Sequence, residues 1–160
     1  ELPAPGDPSP IVAEDEPGML ASVGVISKLI AAEVDAGIRS ERVVVGGFSQ
    51  GAVIAYLTGL TSERKLGGII ALSGFLGMAG KVKAMKTDHA NKLPVFHGHG
   101  TADPVVQYIW GKSTADKLRN ELGFGDNLEF HSYEGMGHSF CEEEQADLEK
   151  WIKRVLPAEA

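Results

Sequence analysis

The chain holds a single cysteine among 160 residues, so no disulfide can close within it and its stability must rest on a packed core. Cys141 lies three residues after His138 without a catalytic context of its own, and reads as a buried or incidental thiol. One thiol fits a reducing compartment, and the expected location is the cytoplasm, extending to the nucleus. Positive charge is also scarce: 15 Lys and Arg against 22 Asp and Glu leave a net charge of −7. With no basic stripe to neutralise phosphates, nucleic acid is excluded as a partner, and charge alone gives no grip on an anionic membrane. No apolar run approaches the roughly 18–20 residues of a spanning helix, and no signal peptide is visible, so no stable membrane insertion is expected. His97-Gly98-His99 lies near Asp103 without a third and fourth ligand at a recognisable spacing, so neither metal nor cofactor is expected. Repeats and low-complexity tracts are absent. A chain of this length reads as one domain over 1–160, large enough to bury a core.

Strand-like and helix-like patterns alternate along it. Five prolines within residues 1–17 forbid a regular helix there and suggest an extended lead-in. Apolar residues at 19, 20, 23, 26, 30 and 34 then follow a helical period that Gly37 ends. A strand at 43–46 leads to a helix at 50–60, a second strand at 68–72, and a polar, glycine-spotted stretch at 74–92 that predicts a loop or short helix. A strand at 94–97 precedes a helix near 105–122, with Val106, Ile109, Trp110, Leu118 and Leu122 inward. A strand at 128–133 precedes a closing helix at about 142–156, with Leu148, Trp151, Ile152 and Val155 on one face. Its acidic first turn, Glu142 to Glu144, reads as capping and solubility. This order predicts an α/β protein with a parallel sheet and helices on both faces.

The most informative stretch is Val43-Val44-Val45-Gly46-Gly47-Phe48-Ser49-Gln50-Gly51-Ala52. A β-branched run enters a G-x-S-x-G pentad and an apolar helix leaves it, which is the context of a nucleophile elbow. Gly47 and Gly51 remove Cβ atoms where helix and strand must turn tightly. Ser49 then sits above the sheet, with the Gln50 amide aimed where an oxyanion would form. A serine hydroxyl needs a base and an orienting carboxylate to attack at neutral pH. Asp103 and His138 each follow a predicted strand, in the order Ser, Asp, His, at the carboxyl ends where open α/β sheets place their sites. Asp103 also precedes Pro104 and reads equally as the N-cap of a helix beginning at the proline; the two roles can coexist. Of five histidines, only His138 combines a Gly-rich loop, a place after the last strand and the right order.

Three blocks, Gly46-Gly47-Phe48-Ser49-Gln50-Gly51, His97-Gly98 with Asp103-Pro104-Val105-Val106, and Tyr133-Glu134-Gly135-Met136-Gly137-His138-Ser139, resemble the signature blocks of the acyl-protein thioesterases. These are small serine hydrolases also described as lysophospholipases and related to bacterial carboxylesterases. The similarity runs from about Glu14 to Pro157. It implies an α/β-hydrolase fold, Ser49 as nucleophile, Asp103 as acid, His138 as base and Gln50 as one oxyanion donor. It also implies hydrolysis of fatty acyl thioesters on S-acylated protein cysteines (depalmitoylation), with lysophospholipids and esters as further substrates. Phe75, Leu76 and Met78, after the second strand, are apolar enough to line an acyl channel and read equally as core.

The chain departs from the family at its start. The family opens with a strand and a His-Gly-Leu-Gly-type loop that supplies a second oxyanion amide, and no such segment precedes Ser49. The expectation is therefore an amino-terminally truncated member and an impaired hydrolase. Its strand 43–46 would lack one neighbour and invite self-association. Two alternatives accompany the thioesterase reading. One is a general short-chain carboxylesterase; the other is a non-catalytic hydrolase-fold remnant that binds lipid or a partner.

Overall fold

The structure, a computed structural model, describes residues 14–159. Most of the expected extended lead-in therefore lies outside the described residues, and what remains of it ends sooner than expected. Asp15 caps helix α1 (Glu16–Asp35), its side chain accepting the Gly18 amide at 3.0 Å. Pro17 falls in the first helical turn, where a missing N–H costs nothing. Gly37, at φ +106°, ends the helix in a conformation that a side chain would resist.

The remaining elements are β1 (Val44–Phe48), α2 (Gln50–Thr61), β2 (Gly68–Leu72), the short α3 (Val82–Met85), β3 (Val95–Gly100), α4 (Tyr108–Asn120), β4 (Leu128–Tyr133) and α5 (Glu142–Val155). The four strands pair in parallel in the order β1-β2-β3-β4. Two strands run further than expected, through residues that form strands poorly. β1 continues past Gly46 through Gly47, which pairs with Ala71, and β3 continues past His97 through Gly98-His99-Gly100, paired to β4. Cross-strand pairing and close packing override local preference there. A Cβ on Gly98 would lie 2.1 Å from the Glu144 carboxylate, and one on Gly100 2.1 Å from the Met136 carbonyl oxygen.

Alternate residues assign the helices to the two faces. Ile69 meets Gly59 of α2, and His97 and His99 meet Gly111 of α4, so α2 and α4 share a face, with α1 packed outside α2. Gly68 and Phe96 meet Trp151, so α5 covers the other face, over β3 and β4. Beyond α5 that face is partly open: Gly46 and Phe48 of β1 are exposed. The core gathers Tyr56, Leu60, Ile69, Val95, Leu118 and Phe124, all at or near zero exposure.

Two inward assignments and one outward one need correction. Ile109 of α4 is 45% exposed and Ile152 of α5 37% exposed, because each helix presents a narrower stripe than its apolar residues suggest. Glu144 is not part of a solvated acidic turn but is fully buried. Helix α1 is long and apolar enough by length and composition to cross a membrane, with mean hydropathy 1.4 over 18 residues, contrary to the expectation drawn from uninterrupted apolar runs. Its many small residues keep the average high while Lys28 and Glu33 break the run. Its Ile26, Ile30 and Val34 pack into the core, whereas Val25 and Leu29 stay exposed.

Those exposed residues border a groove of about 640 Å³ between α1 and β1, floored by Val45, Ile54 and Thr58. Among the described residues β1 has a partner on one side only.

Candidate active site

The site begins with a backbone constraint. Ser49 sits between β1 and α2 at φ 57° and ψ −120°, a left-sided conformation that costs a non-glycine residue about 1–3 kcal/mol. Surrounding bonds hold it: its amide donates to the Leu72 carbonyl at 2.8 Å, and its carbonyl accepts the Ala52 amide at 3.0 Å. Gly47 is required, since a Cβ there would stand 2.2 Å from the Gly51 carbonyl carbon. Gly51 is not: its Cβ direction meets nothing within 4 Å. The expectation that both pentad glycines relieve a helix–strand clash therefore holds for the first alone. Gly74, which the motif does not include, is the second tight point, with a Cβ position 2.4 Å from that of Ala52.

Ser49 Oγ lies 2.9 Å from His138 Nε2, and His138 Nδ1 lies 2.8 Å from Asp103 Oδ2. A carboxylate can only accept, so Nδ1 carries the proton and Nε2 is left to accept from the serine hydroxyl. The other Asp103 oxygen accepts the amides of Val105 and Val106 at 2.8 and 2.9 Å. Those two bonds close a turn over residues 103–106 and cap no helix, because α4 begins only at Tyr108. The carboxylate is buried, and charge-assisted bonds of about 1.5–3 kcal/mol each offset its desolvation.

The loops bearing Asp103 and His138 are stitched together. The Ala102 amide donates to the Met136 carbonyl at 3.1 Å and the Gly135 amide to Thr101 Oγ1 at 2.9 Å. The Phe48 ring packs against the His138 imidazole, 4.6 Å between centroids. The other histidines are elsewhere. His131 stacks on Phe96, His89 lies beside Thr87, and His97 and His99 are buried under α4.

Gln50 opens α2, so its amide belongs to the positive end of that helix, next to the serine. No His-Gly-Leu-Gly-type loop that would give a second oxyanion donor lies between Glu14 and Ser49. A cleft of about 570 Å³ opens beside Ser49 and Gln50, walled by Met19, Val53, Ile54, Phe75 and Val106. Of the three residues proposed for an acyl channel, only Phe75 lines it. Leu76 belongs to the main core and donates its amide to Thr114 Oγ1, and Met78 packs with Val53 and Leu57. Both are 3% exposed. Met19, Val53 and Ile54 were legible only as helix-stripe residues, since no local pattern says that a stripe borders a serine.

The family described as Phospholipase/Carboxylesterase matches residues 7–156. Among relatives, the acyl-protein thioesterase 1 of Mycosarcoma maydis is 47% identical over 156 residues, covering 92% of this chain and 65% of its own length. That of Saccharomyces cerevisiae is 41% identical over 142 residues, covering 89% and 62%. Two crystal structures share the architecture. Arabidopsis thaliana SOBER1 has a TM-score of 0.83 at 32% identity, covering 92% of this chain and 68% of that one. Zea mays acyl-protein thioesterase 2 has a TM-score of 0.79 at 28% identity, covering 92% and 69%. The chain thus spans just under two thirds of the length of these thioesterase 1 relatives.

Behind the site, Glu144 fills the space that Gly98 leaves, with both carboxylate oxygens buried and without a hydrogen-bond partner among the described residues. Loss of hydration raises its pKa from the ordinary 4.5 to about 7. The folded state therefore holds a proton that the unfolded state has released, and stability falls as pH rises from about 4.5 through 7. Glu144→Gln removes that dependence. In urea unfolding the variant should gain on the parent between pH 5 and pH 8; parallel stability curves would show that Glu144 is ionised in the fold.

Proposed function

Because this chain belongs to the phospholipase/carboxylesterase family, we propose that it is a serine hydrolase that cleaves fatty acyl thioesters from S-acylated protein cysteines. The observation that carries the reading is the continuous path from Ser49 Oγ through His138 to Asp103, at 2.9 and 2.8 Å. Ser49 attacks the acyl carbonyl as His138 takes its proton, and Asp103 holds the imidazole tautomer and balances its charge. The Gln50 amide meets the developing oxyanion. His138 then protonates the leaving thiolate, water repeats the sequence, and the free acid departs. No metal or organic cofactor enters these steps.

The apolar cleft beside Ser49 supports a hydrocarbon acyl group, and relatives named acyl-protein thioesterases support the thioester. Lysophospholipids and simple esters present the same carbonyl to the same groups and are included as substrates. A short-chain carboxylesterase is the second reading, favoured by the family's description. A reducing compartment, cytoplasm or nucleus, belongs to the proposal and is supported by the lone thiol of Cys141.

Hydrolysis of S-acyl cysteine peptides and p-nitrophenyl esters of graded chain length tests this. Octanoyl and longer thioesters should exceed acetyl esters in kcat/KM by about tenfold or more, since each buried methylene contributes about 0.8 kcal/mol. Ser49→Ala should remove about 10³-fold or more of the rate. An acetyl preference would favour the carboxylesterase, and turnover indifferent to Ser49, or none, would favour the non-catalytic remnant.

A second copy of the chain is proposed as a partner at β1, whose outer edge and adjoining apolar groove lack a pairing strand among the described residues. Sedimentation should show association that grows with concentration and weakens when Val44→Lys places a charge on that edge strand. A monomer at all concentrations would contradict it.

A further inference from the structure

Three buried polar side chains on the α2/α4 face of the sheet have no part in the steps above, and their hydrogen bonds admit one arrangement. His99 Nε2 lies 2.8 Å from the Val106 carbonyl oxygen, which can only accept, so Nε2 carries the proton. His99 Nδ1 is then a lone pair, and His97 Nε2, 3.2 Å away, must donate to it. That leaves His97 Nδ1 as an acceptor, and the Tyr56 hydroxyl at 2.6 Å donates to it. Every ring nitrogen is used once and both imidazoles are neutral. Burial opposes a proton on either ring, and one added to His99 would set its Nδ1–H against the His97 Nε2–H, so both histidines titrate below the usual range.

The chain of donors ends on a residue that the triad also uses. Val106 accepts from His99 through its carbonyl and donates through its amide to Asp103 Oδ1 at 2.9 Å. His99 Nε2 stands 3.6 Å from Asp103 Oδ2, too far for a good hydrogen bond but close enough to turn its positive edge toward the carboxylate. Helix α4 makes room for the two rings with Gly111, where a Cβ would sit 2.3 Å from His99 Nδ1 and 3.0 Å from His97 Nε2. The groups facing His99 are His97, Asp103, His138 and the ring of Tyr108.

We propose that Tyr56, His97 and His99 form a static positioning relay that fixes the Val106 backbone and thereby the orientation of Asp103 toward His138. The inference rests on Asp103 being the acid of the proposed hydrolase. No proton travels along the relay; its role is to lock one tautomer chain. The Val106 carbonyl sets the tautomers; without the tyrosine hydroxyl, His97 Nδ1 becomes a buried acceptor with no donor, and the two rings lose the anchor that holds His99 Nε2 on Val106 and beside Asp103. An acid held less well opposite His138 stabilises the imidazolium less and lowers its pKa.

Tyr56→Phe keeps the ring and removes one donor. His99→Leu cuts the relay, and His99→Gln restores a donor near the Nε2 position. Ester hydrolysis across pH and the NMR titration of His138 are measured on all three and on the parent. Tyr56→Phe and His99→Leu should lose about 10- to 100-fold in kcat with KM within about twofold, as for a misplaced catalytic group. The acid limb of kcat/KM and the His138 titration should move to lower pH together, and His99→Gln should recover part of both. The NMR titration needs no turnover, so it still decides the matter if Ser49-dependent hydrolysis is absent. An unchanged His138 titration, with any rate loss following loss of folded protein, would reduce these residues to core packing and overturn the proposal.

Discussion

Parallel pairing sends the carboxyl ends of β1, β3 and β4 to one edge of the sheet, and everything at the site depends on that edge. Ser49, Asp103 and His138 each follow one of those strands, so residues up to 89 positions apart meet within hydrogen-bond reach. The spacing between the serine and the acid is set by β2, which lies between the nucleophile strand and the acid strand. β2 also supports the elbow directly, through the Leu72 carbonyl that receives the Ser49 amide and through Gly74, whose missing side chain lets its loop close under Ala52. The strained backbone at Ser49 persists because strand, helix and loop all hold it.

Charge is rationed at this edge. Asp103 is the one buried group that the chemistry needs ionised, and it receives the His138 imidazole and two backbone amides. The buried groups around β3 are kept neutral instead. His97 and His99 are held there by desolvation and by sharing protons along one line, and desolvation alone raises the Glu144 pKa to about 7, so that it is protonated below that pH. One face of β3 thus carries a satisfied polar chain and the other an unsatisfied carboxyl, with the strand's two glycines making room behind the site. Such an arrangement tolerates little rearrangement, since each neutral group owes its state to being packed where it is.

The order and type of the elements were legible because the patterns were long or carried a mechanism: the Val43–Val45 run into the pentad, the helical period of α1, and the strand at 128–133. The three triad positions were legible for the same reason, each falling in a Gly- or Pro-marked loop after a strand. What stayed hidden depended on contacts between distant residues. Nothing local says that the strand should continue past His97 through His99; pairing with β4 and the space provided by Gly111 do. Glu144 looked like one of three solvated acids until α5 was docked on Gly98, and the choice between channel and core for Leu76 and Met78 was decided only when the loop after β2 folded inward. The alternation His-Gly-His in a strand does place both rings on one face, and that signal could have marked a buried polar pair.

The central claim is that Ser49, His138 and Asp103 act as one unit, and the kinetics of single and double variants test it most directly. The rates of Ser49→Ala, His138→Ala and the double variant on one activated ester are compared with the parent. The account predicts that the two single losses are nearly equal and that the double variant loses little more than either. Losses that multiply, or turnover that survives removal of His138 while depending on His97 or His131, would contradict it.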